Sequence, residues 1–107
     1  MKQLTQNLYN LKSLDENRWE VKLTDENHPV FKAHFEGNPL LPAFLQIDIF
    51  SEILSKRLLK IERAKFKLPI LPNDVVIYEI VKRVDSSYRV KITKDEKTTS
   101  EIKLVYR

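Results

Sequence analysis

The sequence predicts an α+β domain in which one antiparallel sheet curls around a single apolar helix. Three observations predict it. Short segments of alternating apolar and polar residues lie on both sides of one long apolar stretch. That stretch, Pro42 to Leu59, is the one segment whose apolar residues cover most of a helical circumference. The order is strand, strand, loop, helix, then a run of strands, and the simplest way to bury such a helix is to wrap the sheet around it.

The first strand is expected over Gln6 to Lys12 and the second over Arg18 to Thr24, joined by a hairpin turn through Ser13 to Asn17. In the second, Trp19, Val21 and Leu23 alternate with Glu20, Lys22 and Thr24, the period of a half-buried strand. Asn27 to Pro42 then reads as a long irregular passage. It holds the only glycine, Gly37, and three of the five prolines, Pro29, Pro39 and Pro42. Loops of that length inside a compact domain are often functional. Pro42 suits a first helical turn, where its missing N–H would be unpaired anyway. Lys56, Arg57 and Lys60 are expected near the helix C-terminus, where the helix dipole favours cations.

Four more strands are expected: Ala64 to Leu71, Val75 to Arg83, Tyr88 to Thr93 and Thr98 to Tyr106. Pro69 suits an edge or a strand end, and Pro72, Asn73 and Asp74 give a turn. Val90 and Ile92, then Ile102 and Leu104, alternate with charged or polar residues. The outer face of this meander is expected to be solvated.

The 107 residues suit one domain, taken as 1–107. A monomer this small buries roughly two-thirds of the surface its unfolded chain exposes, so oligomerisation would help it. There is no cysteine, which excludes disulfides, thiolate metal sites and a cysteine nucleophile. The first dozen residues lack the apolar core of a signal peptide, and no run approaches a membrane span. The cytoplasm is the expected compartment. A net charge of +4 suits an acidic partner. The cations are nevertheless interleaved with acids, and no nucleic-acid-binding motif accompanies them. Neither nucleic acid nor membrane is expected as a partner.

Chemistry concentrates in His34 to Asp48, HFEGNPLLPAFLQID. A histidine accepts a proton near neutral pH. The following helix start offers unpaired N–H groups to a carbonyl oxygen. Asp48 sits between Ile47 and Ile49, where burial would raise its pKa and favour the protonated acid. A base, an acid and an oxyanion site meeting at one helix mouth are equipped to remove a proton α to a carbonyl and expel a β-hydroxyl.

This segment resembles the active-site motif of the hotdog-fold 3-hydroxyacyl-(acyl-carrier-protein) dehydratases. Their pattern is His-Phe-x-Gly-x-Pro-x-x-Pro-Gly, then a Leu, then an acid fourteen positions after the histidine. His34, Phe35, Gly37, Pro39, Pro42, Leu45 and Asp48 match with the spacing intact. Phe66, Pro69, Pro72 and Asp74 echo a second family stretch, with Asn73 in place of its glycine.

The resemblance implies a hotdog fold and a homodimer. It implies that His34 takes the α-proton and that Asp48, contributed across the dimer interface, assists loss of the hydroxyl as water. Backbone N–H groups at Gly37 or Ala43 would hold the thioester oxygen, and Phe35, Pro42, Phe44 and Gln46 would line the substrate site. It implies no cofactor, an acyl-carrier-protein or coenzyme A thioester as substrate, and a pathway resembling fatty-acid biosynthesis. An apolar tunnel along the helix would take the acyl chain, and an acidic carrier would dock at a basic rim. The chain looks more like the short stand-alone members than the longer fatty-acid-synthesis ones, as in aryl-polyene-type pathways.

Departures from the pattern are Ala43 for glycine, which adds a Cβ near the thioester, and Glu36 where proline is frequent. They keep open a non-catalytic acyl-thioester-binding protein. A hotdog thioesterase with Asp48 as base is the other alternative. Plainer readings stand beside these. Asp48, Glu52, Ser55 and Lys56 fall on one helical stripe, as an ordinary solvated face would. Gln46 can order a water or substrate, or bond a neighbouring backbone group. Phe31 and Phe35 suit packing against the helix, and His28 reads as a plain loop residue. No metal site is expected, since the spacing of His28, His34 and Asp48 matches no metal signature.

Overall fold

The computed structural model describes residues 4–32 and 39–107. Its elements in chain order are β1 (Tyr9–Ser13), β2 (Arg18–Leu23), α1 (Pro29–Lys32), α2 (Ala43–Leu54), β3 (Leu58–Phe66), β4 (Val75–Val84), β5 (Ser87–Lys94) and β6 (Lys97–Tyr106). The six strands form one sheet in the order β1-β2-β4-β5-β6-β3, and every neighbouring pair is antiparallel. One face of this sheet packs on α2. This is the α+β architecture expected, with a sheet wrapped around one helix.

The alternating segments place their apolar residues inward as period two requires. Val21 and Leu23 of β2, Val90 and Ile92 of β5, and Ile102 and Leu104 of β6 are all buried. From α2, Leu45, Ile47, Ile49 and Phe50 join them. Phe50 lies in the middle of three tyrosine rings, stacked on Tyr78 and edge-on to Tyr88 and Tyr106, with centroids 5.8 to 6.3 Å away. Such pairs add to the stabilisation from area burial alone.

The helix is shorter than the apolar run that announced it. It ends at Leu54 because Ser55 takes a left-handed conformation, φ 53°. The Ser55 N–H then donates to the Glu52 carbonyl and the Lys56 N–H to that of Ser51. This pair of bonds is the Schellman ending, which satisfies the last carbonyls and turns the chain out of the helix. Leu58 and Leu59 therefore begin β3 rather than end α2, and Lys60 lies in a strand. The strand expected over Ala64 to Leu71 accordingly lies earlier, and Pro69 falls beyond its end.

The first strand also starts later than expected. Residues 4–8 form a turn, with Asn7 at φ 59° and the Leu8 N–H donating to the Thr5 carbonyl at 3.0 Å. Within the passage read as irregular, Pro29–Lys32 makes one helical turn capped by His28. The Nδ1 of His28 accepts from the Val30 N–H at 3.1 Å, so its Nε2 carries the proton and donates to the Gln6 carbonyl at 2.8 Å. His28 thus ties the N-terminal turn to the segment that leads toward the helix.

Left-handed positions occur at Asn7, Ser55, Asn73, Asp85, Asp95 and Glu96. Asn73, at φ 67°, takes a left-handed conformation of the kind that glycine and asparagine adopt most readily. Asp95 and Glu96, both at positive φ between Lys94 and Lys97, make the two-residue reversal that matches strand twist.

The sheet leaves one side open. In β3, Ile61 pairs with Leu104, Ala64 with Ile102 and Phe66 with Ser100. Directly paired residues share a face, so this row faces the helix side. Ile61 is nonetheless 46% exposed and Phe66 41%. Phe44 on α2 is 51% exposed.

Candidate active site

The approach to α2 is anchored from two sides. The Leu41 N–H donates to the Ile70 carbonyl at 2.7 Å, and Leu41 itself is buried. Pro42 is buried and has φ −59° and ψ 148°, the extended geometry of a residue preceding a helix. Its carbonyl accepts the N–H groups of Leu45 and Gln46. No side chain caps the helix start. No acceptor among the described residues takes the N–H of Ala43 or Phe44. Two donors at the positive end of the helix are therefore available to an incoming oxygen.

Asp48 lies one turn further along, on the exposed stripe of α2 that also carries Phe44, Glu52 and Ser55. Its carboxyl is raised above the ordinary aspartate value. Partial desolvation is the larger cause and the Glu52 charge the second. Tyr106 of β6 is close enough to feel the Asp48 charge. The Tyr106 phenol is raised chiefly by its own burial, and the Asp48 charge adds to this. The Tyr106 hydroxyl lies 3.0 Å from Ser51 Oγ.

Glu52 is held from the N-terminal side. The Thr5 hydroxyl donates to one carboxylate oxygen, and the Tyr9 hydroxyl donates to the other at 2.5 Å. Burial and the neighbouring carboxylate push the Tyr9 phenol well up, so it stays a donor. Sequence reasoning left Thr5, Tyr9 and Tyr106 unremarked and set Glu52 on a solvated stripe. The i, i+4 spacing of Asp48 and Glu52 was visible, but partners more than forty residues away in sequence were not.

Gln46 has a different place from the one expected of a substrate contact. It is 4% exposed, and its Oε1 accepts from Ser100 Oγ at 2.6 Å. Its Nε2 reaches the Leu41 carbonyl at 3.5 Å, and its own carbonyl accepts from the Tyr78 hydroxyl at 2.8 Å. Gln46 thereby joins the helix to β4, β6 and the approach segment. Both ends of its amide are directed into the protein, which answers to the plainer of its two readings. Ala43 and Phe44 are exposed at the start of α2, Phe44 one turn before Asp48. His34, Phe35 and Gly37 lie outside the described residues. Among the described residues no group of three or more His, Asp or Glu side chains is placed to hold a metal ion, and no helix is long and apolar enough to cross a membrane.

A helix start with free donors, followed by an aspartate whose proton is retained to higher pH, can bind an oxyanion and deliver a proton nearby. Known proteins bear on this arrangement. The family described as ApeI-like, ApeI dehydratase, matches residues 11–103. No curated protein matches the chain. Among solved structures, the dehydratase heterocomplex ApeI:P from Xenorhabdus doucetiae is similar at 22% identity and a TM-score of 0.67, over 91% of this chain and 93% of that one. An uncharacterised protein from Erwinia carotovora subsp. atroseptica has 26% identity and a TM-score of 0.61, over 92% and 90%. Thioesterase superfamily member 2 from Mus musculus has 14% identity and a TM-score of 0.59, over 99% and 98%. The fold is the hotdog fold, which these dehydratases and thioesterases share.

Proposed function

From membership of the ApeI-like dehydratase family, to which this chain belongs, we propose that it converts 3-hydroxyacyl thioesters to trans-2-enoyl thioesters. The observation that carries the reading is Asp48, an acid of raised pKa one turn inside a helix start whose first N–H groups have no acceptor among the described residues. In the motif it stands fourteen residues after His34.

His34 removes the α-proton. The Cα–H electron pair moves into the Cα–carbonyl bond, and the resulting oxyanion is held by backbone N–H groups at Ala43 and Gly37. The pair then forms the Cα–Cβ double bond as the Cβ–oxygen bond breaks. The departing hydroxyl takes the proton of Asp48 and leaves as water. The α-proton rests on His34 until Asp48 is reprotonated. No electrons leave the substrate, so the elimination needs no redox partner. Phe35, Pro42 and Phe44 border the thioester, and the substrate is carried on an acyl-carrier protein. Gln46, turned into the core, is left out of the substrate contacts.

A second copy of the chain covers the open side. The uncovered Ile61 and Phe66 form an apolar row along the edge strand β3, and Phe44 is exposed on α2. Such an edge is a template for pairing unless it is covered. The similar structure from Xenorhabdus doucetiae is a heterocomplex, so a different chain is the other occupant to be tested.

The test is hydration of a crotonyl thioester by the purified protein, read as loss of enoyl absorbance, with mass spectrometry of the product. A 3-hydroxyacyl thioester whose formation is abolished by His34→Ala and by Asp48→Asn is the expected result. Release of free acid overturns it in favour of a thioesterase. Absence of turnover, with longer chains on a carrier protein as well, overturns it in favour of a binding protein.

A further inference from the structure

We propose that Glu52 is a positioning residue for Asp48: clamped by the hydroxyls of Thr5 and Tyr9, it fixes an anion one helical turn away and makes Asp48 the carboxyl that carries the proton. The inference rests on the dehydratase reading of Asp48 and deepens it.

Side chains at i and i+4 on a helix are neighbours, so Asp48 and Glu52 share one stripe of α2. Two carboxyl groups so placed resist ionising together, so the charge of one favours the protonated form of the other. The donors are unequally divided. Both oxygens of Glu52 accept hydroxyl hydrogen bonds, from Thr5 in the N-terminal turn and Tyr9 in β1. Asp48 has no hydrogen-bond donor among the described residues. The two hydroxyls fix where the Glu52 carboxylate sits, one turn from Asp48, and its charge is the second cause, after desolvation, that raises the Asp48 carboxyl.

The groups around this face are few. From α2 itself come Glu52 and Lys56, whose ammonium lies over the Tyr88 ring at 5.9 Å. From β1 comes Tyr9, and from β6 Tyr106. The Arg83 guanidinium of β4 is also taken up over Tyr88, at 5.2 Å. No described cation is in ion-pair contact with Asp48 or Glu52. The Glu52 carboxylate is thus without a contact ion pair among the described residues, although Lys56 and Arg57 lie in the same depression, and its charge reaches Asp48. The clamp has its own anchorage. Thr5 is buried, Leu8 is fully buried, and His28 holds the Gln6 carbonyl between them.

The sign follows. A general acid must be protonated, so dehydration fails as pH rises through the Asp48 pKa. Loss of the Glu52 charge moves that failure to lower pH.

The experiment measures enoyl formation from a 3-hydroxyacyl thioester across pH for the wild type, Glu52→Gln, Glu52→Asp and Tyr9→Phe. Carbon-13 NMR titration of the Asp48 carboxyl in the same proteins runs beside it, with thermal unfolding to show that each variant is folded. In Glu52→Gln the alkaline limb of kcat/KM and the Asp48 titration both shift to lower pH. Glu52→Asp, which keeps the charge, restores most of both, and Tyr9→Phe gives a smaller shift in the same direction. An Asp48 titration unchanged by Glu52→Gln overturns the proposal whatever the activity does. A uniform loss of rate with no displacement of the limb also overturns it. Full turnover in Asp48→Asn would instead remove the dehydratase role of Asp48, while the NMR titration still judges its coupling to Glu52.

Discussion

Ser100 and Gln46 form a polar joint inside an apolar core, and its energetics can be worked from the structure. Ser100 is fully buried, and its hydroxyl is the donor to Gln46 Oε1, at 2.6 Å. Ser100→Ala strips that oxygen of its partner where water does not reach. Leaving a buried acceptor unpaired costs about 1–3 kcal/mol. At roughly 4–8 °C per kcal/mol for a domain near this size, Tm falls by about 5–20 °C. Gln46→Leu leaves the Ser100 hydroxyl without its acceptor and costs a similar amount. The double variant removes both polar ends, so its cost falls below the sum of the singles by about 1 kcal/mol or more. Urea unfolding at one fixed protein concentration reads this as midpoint shifts at constant slope. Costs that add within about 0.3–0.5 kcal/mol would refute the reasoning, because independent sites behave that way. So would a raised KM in Gln46→Leu with stability unchanged, since that would return Gln46 to the substrate.

Two further outcomes are expected. Ile61→Lys places a charge in the uncovered apolar row of β3, and sedimentation velocity should show a dimer reduced to a monomer with turnover lost alongside; an unchanged sedimentation coefficient would remove the second copy from that edge. Glu96→Gly relieves a residue with a Cβ held at φ 68° in the β5–β6 reversal, and should raise stability by about 0.5–1 kcal/mol in thermal unfolding, the backbone relief of about 1–2 kcal/mol being partly offset by the added freedom of the unfolded chain.

The strands that alternate cleanly were legible because burial on one face writes itself into the sequence at period two. Val21, Leu23, Val90, Ile92, Ile102 and Leu104 are all inside, as their spacing implies. The end of α2 was not legible. Leu58 and Leu59 prolong the apolar run, while the stop lies in the backbone of Ser55, a residue that carries no left-handed preference comparable with glycine. β3 was displaced for the same reason. Helical spacing put Asp48 on a solvated stripe, where it is found exposed, and its apolar sequence neighbours implied a raised carboxyl, which partial desolvation and Glu52 supply. Gln46 and Glu52 were ambiguous because their partners are remote. Ser100 lies 54 residues from Gln46, and Thr5 lies 47 from Glu52. Pairings of that kind are decided by the closed sheet and leave no periodic trace.

The sparing use of glycine has a consequence for how this frame tolerates change. The single glycine stands in the His34–Pro42 motif, and the left-handed positions of the described frame are filled by Asn, Ser, Asp and Glu. Each such residue strains the folded backbone slightly, yet each also narrows the conformations open to the chain before it folds. Glycine would therefore act with opposite sign at different sites in this protein. At a reversal such as Glu96 it relaxes a local conflict, whereas within β5 or β6 it only enlarges the disordered ensemble. Drift toward glycine would be harmless in the corners and corrosive in the walls.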